Sequence, residues 1–146
     1  MRISVAVPAY NEERNIGLLI DSLRRQRTRG ASIVEIVVVA SGCTDGTVGV
    51  VEERQRRRGV PVRLIVEPAR RGKVAAINTY LRHGNRRVDA ICLCSADLIV
   101  EREAIERMTA YLAADPQVGM VGARPMPTNG YCDRRRTECA AACLAA

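Results

Sequence analysis

Five apolar runs recur along the chain with room for one helix between each pair, and this spacing constrains the fold more than any other feature. The runs are RISVAV (2–7), IVEIVVV (33–39), PVRLIV (61–66), VDAICLC (88–94) and QVGMVG (117–122). Between the first two, Ile16, Leu19, Ile20 and Leu23 repeat at helical spacing within 11–27. Asn11 reads as the N-cap of that helix, with Glu12 and Glu13 suited to its positive end. Thr44 or Asp45 reads as the cap of a second helix ending near Arg58. A third, over 72–83, carries Val74, Ile77 and Leu81 on its expected apolar side, and a fourth, over 101–114, carries Ile105, Met108 and Leu112. Strands alternating with amphipathic helices predict an α/β fold with a mostly parallel sheet covered on both faces.

Such a sheet carries its functional loops at the carboxyl ends of its strands. The sequence is polar at those points. Strand one ends in Pro8-Ala9-Tyr10-Asn11-Glu12, strand two in Ala40-Ser41-Gly42 and strand four in Ser95-Ala96-Asp97. These three segments are expected to share one edge, with strands one, two and four adjacent, parallel and central.

The chain has 146 residues, enough for one domain with a real core. It has four Tyr but no Trp or Phe, so the core is aliphatic. Stacking readout of single-stranded nucleic acid has little to work with, and no nucleic-acid partner is expected. The net charge of +7 suits an anionic partner, such as a phosphorylated small molecule or an anionic lipid surface. Lys73 is the only lysine among 23 basic residues. No apolar run reaches the roughly 20 residues of a membrane span, and the opening RISVAVPAY is too short for a secretory signal. A reducing cytoplasm is the expected setting, with the six cysteines as free thiols. Cys92 and Cys94 are expected inside a buried strand. Cys132, Cys139 and Cys143 lack the paired spacing or nearby His of a metal site.

VAVPAYNEERNI, then EIVVVASGCTDGT, RRGKVAAIN and LCSADLIV, resembles in order the family 2 glycosyltransferases of the GT-A fold, relatives of the dolichol-phosphate-mannose synthases. Four motifs cover residues 3 to about 100, and VGARPMPTN continues the likeness to Asn129. The resemblance implies a Rossmann-like sheet of the nucleotide-diphospho-sugar transferase type and transfer of a sugar to an acceptor hydroxyl. It implies a donor pocket lined by Pro8, Ala9, Tyr10, Glu12, Val39, Ser41, Ser95 and Ala96. Lys73, with Arg70 or Arg71, matches the family's donor-side GK segment, where it would hold the diphosphate. Asp97 matches the last acid of the family's DxD motif, which holds Mg²⁺ or Mn²⁺ on the diphosphate. The partners implied are a nucleotide-diphosphate sugar and an acceptor, lipid or saccharide, with peripheral membrane association as one option.

The chain departs from that pattern in three places. The first acid of DxD is replaced by Ser95. The two acids common after strand two are Ala40 and Ser41. No catalytic base is identifiable, and the text after Asn129, GYCDRRRTECAAACLAA, loses the pattern. The expectation is a truncated donor-binding domain over 1–129 and a tail of uncertain structure over 130–146, with weak donor binding and little transfer. A non-catalytic nucleotide-sugar-binding remnant is the alternative. A nucleotidyltransferase or a dinucleotide dehydrogenase fits less well, because no Gly-rich loop follows strand one.

Overall fold

The computed structural model describes residues 1–126. Four strands and four helices alternate: β1 (Arg2–Ala9), α1 (Ile16–Arg24), β2 (Ser32–Ser41), α2 (Thr47–Gln55), β3 (Val62–Glu67), α3 (Lys73–His83), β4 (Ala90–Leu93) and α4 (Ala104–Ala114). The strands form one all-parallel sheet in the order β3-β2-β1-β4. β1 and β2 finish level with each other, Ala9 opposite Ala40. β2, β1 and β4 are adjacent as expected, but β4 is an edge strand and not a central one.

Side chains alternate across the sheet and fill two cores. On one face Val5, Val7, Ile36 and Val38 pack with Ile16, Leu19, Ile20 and Leu23 of α1, Val51 of α2 and Ile105 of α4. On the other, Ala6, Val37 and Val39 pack with Ala76 and Tyr80 of α3. Helices therefore lie on both faces, and burial of β1 and β2 on both sides is what makes their apolar runs nearly continuous, broken by the buried Ser4 and Glu35.

Three local expectations are corrected. Asn11 is not a helix cap: it holds a positive φ of 53°, and α1 starts only at Ile16, after a turn in which the Glu12 carbonyl accepts from Asn15 and Ile16 N–H. The buried side of α3 is Ala76, Thr79 and Tyr80, whereas Val74 is 73% and Leu81 50% exposed. Residues 117–122 form no strand; Met120 is 88% exposed, and the segment pairs with no strand among the described residues. In addition, Cys94 is buried just beyond the end of β4, and Cys92 is only half-buried. Cys132, Cys139, Cys143 and the segment 130–146 lie outside the described residues.

Candidate donor site

The crossovers fix where a ligand can lie. α1 and α2 return the chain over one face and α3 returns it over the other, so the connections diverge between β1 and β4. In open parallel sheets the crevice beyond the carboxyl ends at such a reversal is the usual binding place. Here it is bounded by Pro8-Ala9-Tyr10 from β1 and Ser95-Ala96-Asp97 from β4.

Side chains tie these loops to two others. Lys73, the first residue of α3, donates from Nζ to Ser95 Oγ at 3.0 Å. The Arg70 guanidinium lies over the Tyr10 ring, 4.0 Å from its centroid, at cation–π distance. Neither Lys73 nor Arg70 has a carboxylate partner among the described residues, in contrast to Arg71, which faces Glu67 at 3.7 Å. Gly72 precedes α3 with φ 87° and caps nothing through a side chain, and no acid stands in the first turn. The amino end of α3 is thus positive through both its dipole and its lysine.

Ser41 ends β2 buried, directly opposite Glu67 of β3. The neighbouring Ser41 hydroxyl, the Thr79 hydroxyl that donates to Glu67 Oε1 at 2.6 Å, and the charges of Arg71 and Arg82 hold the Glu67 carboxyl below the ordinary glutamate range against the upward push of burial. Ser41 Oγ also stands 3.4 Å from the Ala69 carbonyl. The hydroxyl donates to that carbonyl and accepts from the Arg71 N–H at 3.4 Å. Glu67 is thus a buried carboxylate one strand away from the end of β2. Gly42 follows with φ 64° and donates its N–H to the Glu67 carbonyl at 2.9 Å. A Cβ on Gly42 would stand 2.3 Å from the Arg70 backbone nitrogen, so the 68–72 loop rests on it.

The remaining expected residues fall as follows. Pro8 is half-buried opposite Val39, and Ala9 is buried. Val39 faces the α3 core. Tyr10 is 38% exposed. Glu12 is half-buried, with Oε2 accepting from Asn15 Nδ2 at 2.9 Å. Ala96 is buried beneath the mouth, and Asp97 is exposed, its carboxylate engaged by no hydrogen bond or ion pair among the described residues. The described residues hold no cluster of three His, Cys, Asp or Glu suited to a metal.

Sequence reading missed the fastening between the first two loops. Asn11 Oδ1 accepts from Thr44 N–H at 2.8 Å, while its Nδ2 donates to Thr44 Oγ1 at 3.1 Å. Glu12 N–H donates to Thr47 Oγ1 at 2.8 Å, Glu13 N–H to Asp45 Oδ2 at 3.1 Å, and Gly46 N–H to Glu13 Oε2 at 3.0 Å. Asp45 also accepts from Thr47 N–H at 3.0 Å. Despite some burial, these bonds hold the Asp45 carboxyl below its ordinary value. The available signal was Asn11 itself, since Asn is one of the few residues that enters the left-handed region readily.

Glycosyl transferase family 2 matches residues 4–139 of the chain. Among solved structures, a mannosyltransferase from Pyrobaculum calidifontis, PcManGT in complex with GDP-Man and Mn²⁺, is 32% identical with a TM-score of 0.74, over 87% of this chain and 36% of that one. S. aureus TarS is 22% identical with a TM-score of 0.66, over 88% of this chain and 23% of that one. TarS 1-349 in complex with UDP gives 22% and 0.64, over 87% of this chain and 38% of that one, and both TarS likenesses speak to the fold alone. The chain thus spans between about a quarter and two fifths of the length of these structures. No helix among the described residues is long and apolar enough to cross a membrane. The sheet order, the four loops and the match over nearly the whole chain agree: this chain belongs to glycosyl transferase family 2.

Proposed function

We propose that residues 1–129 are the donor-binding part of a glycosyltransferase that moves a sugar from a nucleotide diphosphate to an acceptor hydroxyl. One observation carries this reading: two cationic side chains without carboxylate partners, Lys73 and Arg70, bridge the loops that flank the reversal between β1 and β4. A diphosphate supplies the negative charge they lack. In this reading Tyr10 and Ser41 flank the nucleoside, with Pro8, Ala9, Glu12 and Val39 shaping its pocket, and Ser95 and Ala96 form the floor under the diphosphate. The relative with GDP-Man and Mn²⁺ supports a donor and metal of this class.

The residues fit a divalent ion only in part. Asp97 offers one exposed, unengaged carboxylate, and Mg²⁺ or Mn²⁺ held by one carboxylate, phosphate oxygens and waters is well precedented. Asp97 would therefore hold the ion together with the donor and not without it. When bound, the ion offsets charge on the leaving diphosphate. Calorimetry against UDP- and GDP-sugars, with and without Mn²⁺, tests the reading. Binding that strengthens with Mn²⁺ and weakens about tenfold in Lys73→Ala is expected. No binding at millimolar donor with Mn²⁺ present would overturn it.

A further inference from the structure

Cys92 and Cys94 stand two apart at the end of β4, so both face the α1 side of the sheet, and their sulfurs lie 3.6 Å apart. β4 is four residues long and its outer edge is unpaired among the described residues. Cys94 is the residue before Ser95, whose hydroxyl receives the Lys73 bond. Cys43, the other described cysteine, is engaged elsewhere, with its sulfur 3.7 Å from the Ala9 carbonyl.

We propose that Cys92 and Cys94 form a reversible dithiol–disulfide site that controls the Ser95-Ala96-Asp97 turn. Residues two apart on an extended strand hold their Cβ atoms wider than the roughly 3.8 Å a disulfide prefers. Bond formation must therefore bend the chain at Cys94, and the bend passes to Ser95. A bridge closed against such a bend is the labile, readily reduced kind. The oxidant is a small disulfide such as oxidised glutathione. The Cys92 thiolate attacks one of its sulfurs and expels one glutathione thiolate. Cys94 sulfur then attacks the sulfur of Cys92, giving up its proton and expelling the second glutathione. Two protein thiols are oxidised and one small disulfide is reduced to two thiols. The geometry favours Cys92 as the attacking sulfur: it is the more exposed, and the Cys94 S–H beside it lowers its thiol pKa.

The consequence for donor binding rests on the donor reading above, so the experiment separates the two. The whole chain is oxidised with glutathione disulfide and digested with trypsin, which releases Val88–Arg102 with both cysteines and no others. The expected product is that peptide about 2 Da lighter, restored by dithiothreitol. Amide exchange across 94–98 should rise on oxidation, and donor affinity should fall about tenfold, as for loss of a supporting residue near a metal ligand. Cys92→Ser should show none of these changes. A peptide that stays a dithiol, or is found joined to Cys43 or to a cysteine beyond Asn129, would overturn the site. So would a disulfide that leaves both exchange and the affinity of a donor-binding protein unchanged. If the reduced protein binds no donor, only the donor reading fails, and mass and exchange still decide the site.

Discussion

Asp97 and Glu35 show what burial does to a carboxylate. Asp97 is exposed and its carboxylate has no partner among the described residues, so Asp97→Ala should leave the melting temperature within about 1 °C. The same variant should lose Mn²⁺-dependent donor binding in calorimetry; unchanged binding would make Asp97 a plain turn residue. Glu35 is 6% exposed and accepts from Ser4 Oγ at 2.7 Å, Asn85 N–H at 2.8 Å and Arg63 Nη1 at 3.1 Å. Burial pushes its pKa up, but these bonds together with the Arg63 charge outweigh that push and leave it lowered. Glu35→Ala strands the fully buried Ser4 hydroxyl and should cost about 2–3 kcal/mol in urea denaturation at neutral pH. A lowered folded pKa means that the unfolded chain takes the proton first. The stability from Glu35 and Glu67 is therefore complete above the ordinary glutamate value of about 4.3 and is lost as pH falls through their lower folded values. Denaturation followed across that window should fall less steeply with pH in Glu35→Gln than in the parent. None of this was legible in the sequence, where Ser4 and Glu35 read as single polar interruptions. A one-residue irregularity between Ile3 and Ser4 is what puts them opposite each other.

The span of both α1 and α3 was legible, but only for α1 was the buried face legible too, for a physical reason. Every periodic apolar residue of α1 meets the same core, so pattern and burial coincide. α3 packs through Ala76, Thr79 and Tyr80, small or polar residues that carry little weight in a hydrophobic pattern. Its conspicuous Val74 and Leu81 face outward, on the side of the sheet where Ile91 and Leu93 of β4 are also about half exposed. Tyr80→Ala should therefore cost about 3 kcal/mol, in the range for truncating a buried aromatic. Val74→Ala should stay within about 0.5 kcal/mol. The reverse order in denaturant titrations would restore the face that the pattern suggested. QVGMVG misled in another way. A strand needs a neighbour to complete its ladder, and alternation within one segment cannot supply it.

Across the whole molecule, the alternation of runs and helices made the α/β sheet legible, and the polar ends of β1, β2 and β4 fall on one edge as expected. The order of strands was not, because local pattern does not record which edge receives β4. Net charge of +7 and unpaired cations near the crevice predict donor binding that weakens from low salt to about 1 M, where screening shortens to about 3 Å. A salt-independent affinity would place the diphosphate elsewhere. The described residues supply the loops proposed above to hold a donor, and transfer also needs a base within about 3 Å of the acceptor proton. The 146-residue chain is expected to bind donor with little turnover, read as nucleotide diphosphate released over time.

The contact between Gly42 and the backbone of Arg70 has a consequence for how such a chain can diversify. The tip of β2 and the 68–72 loop, proposed above to flank the nucleoside and the phosphates, are nearly thirty positions apart in sequence, yet no methyl group fits between them. A substitution that reshapes one must displace the other. On the proposed donor reading, new base preferences are open to such a chain through side chains such as Ser41 or Tyr10, and closed to it through Gly42. On that reading, drift at Gly42 would be felt first as a displaced Arg70 and a weaker grip on the phosphates, through a residue that carries no side chain of its own.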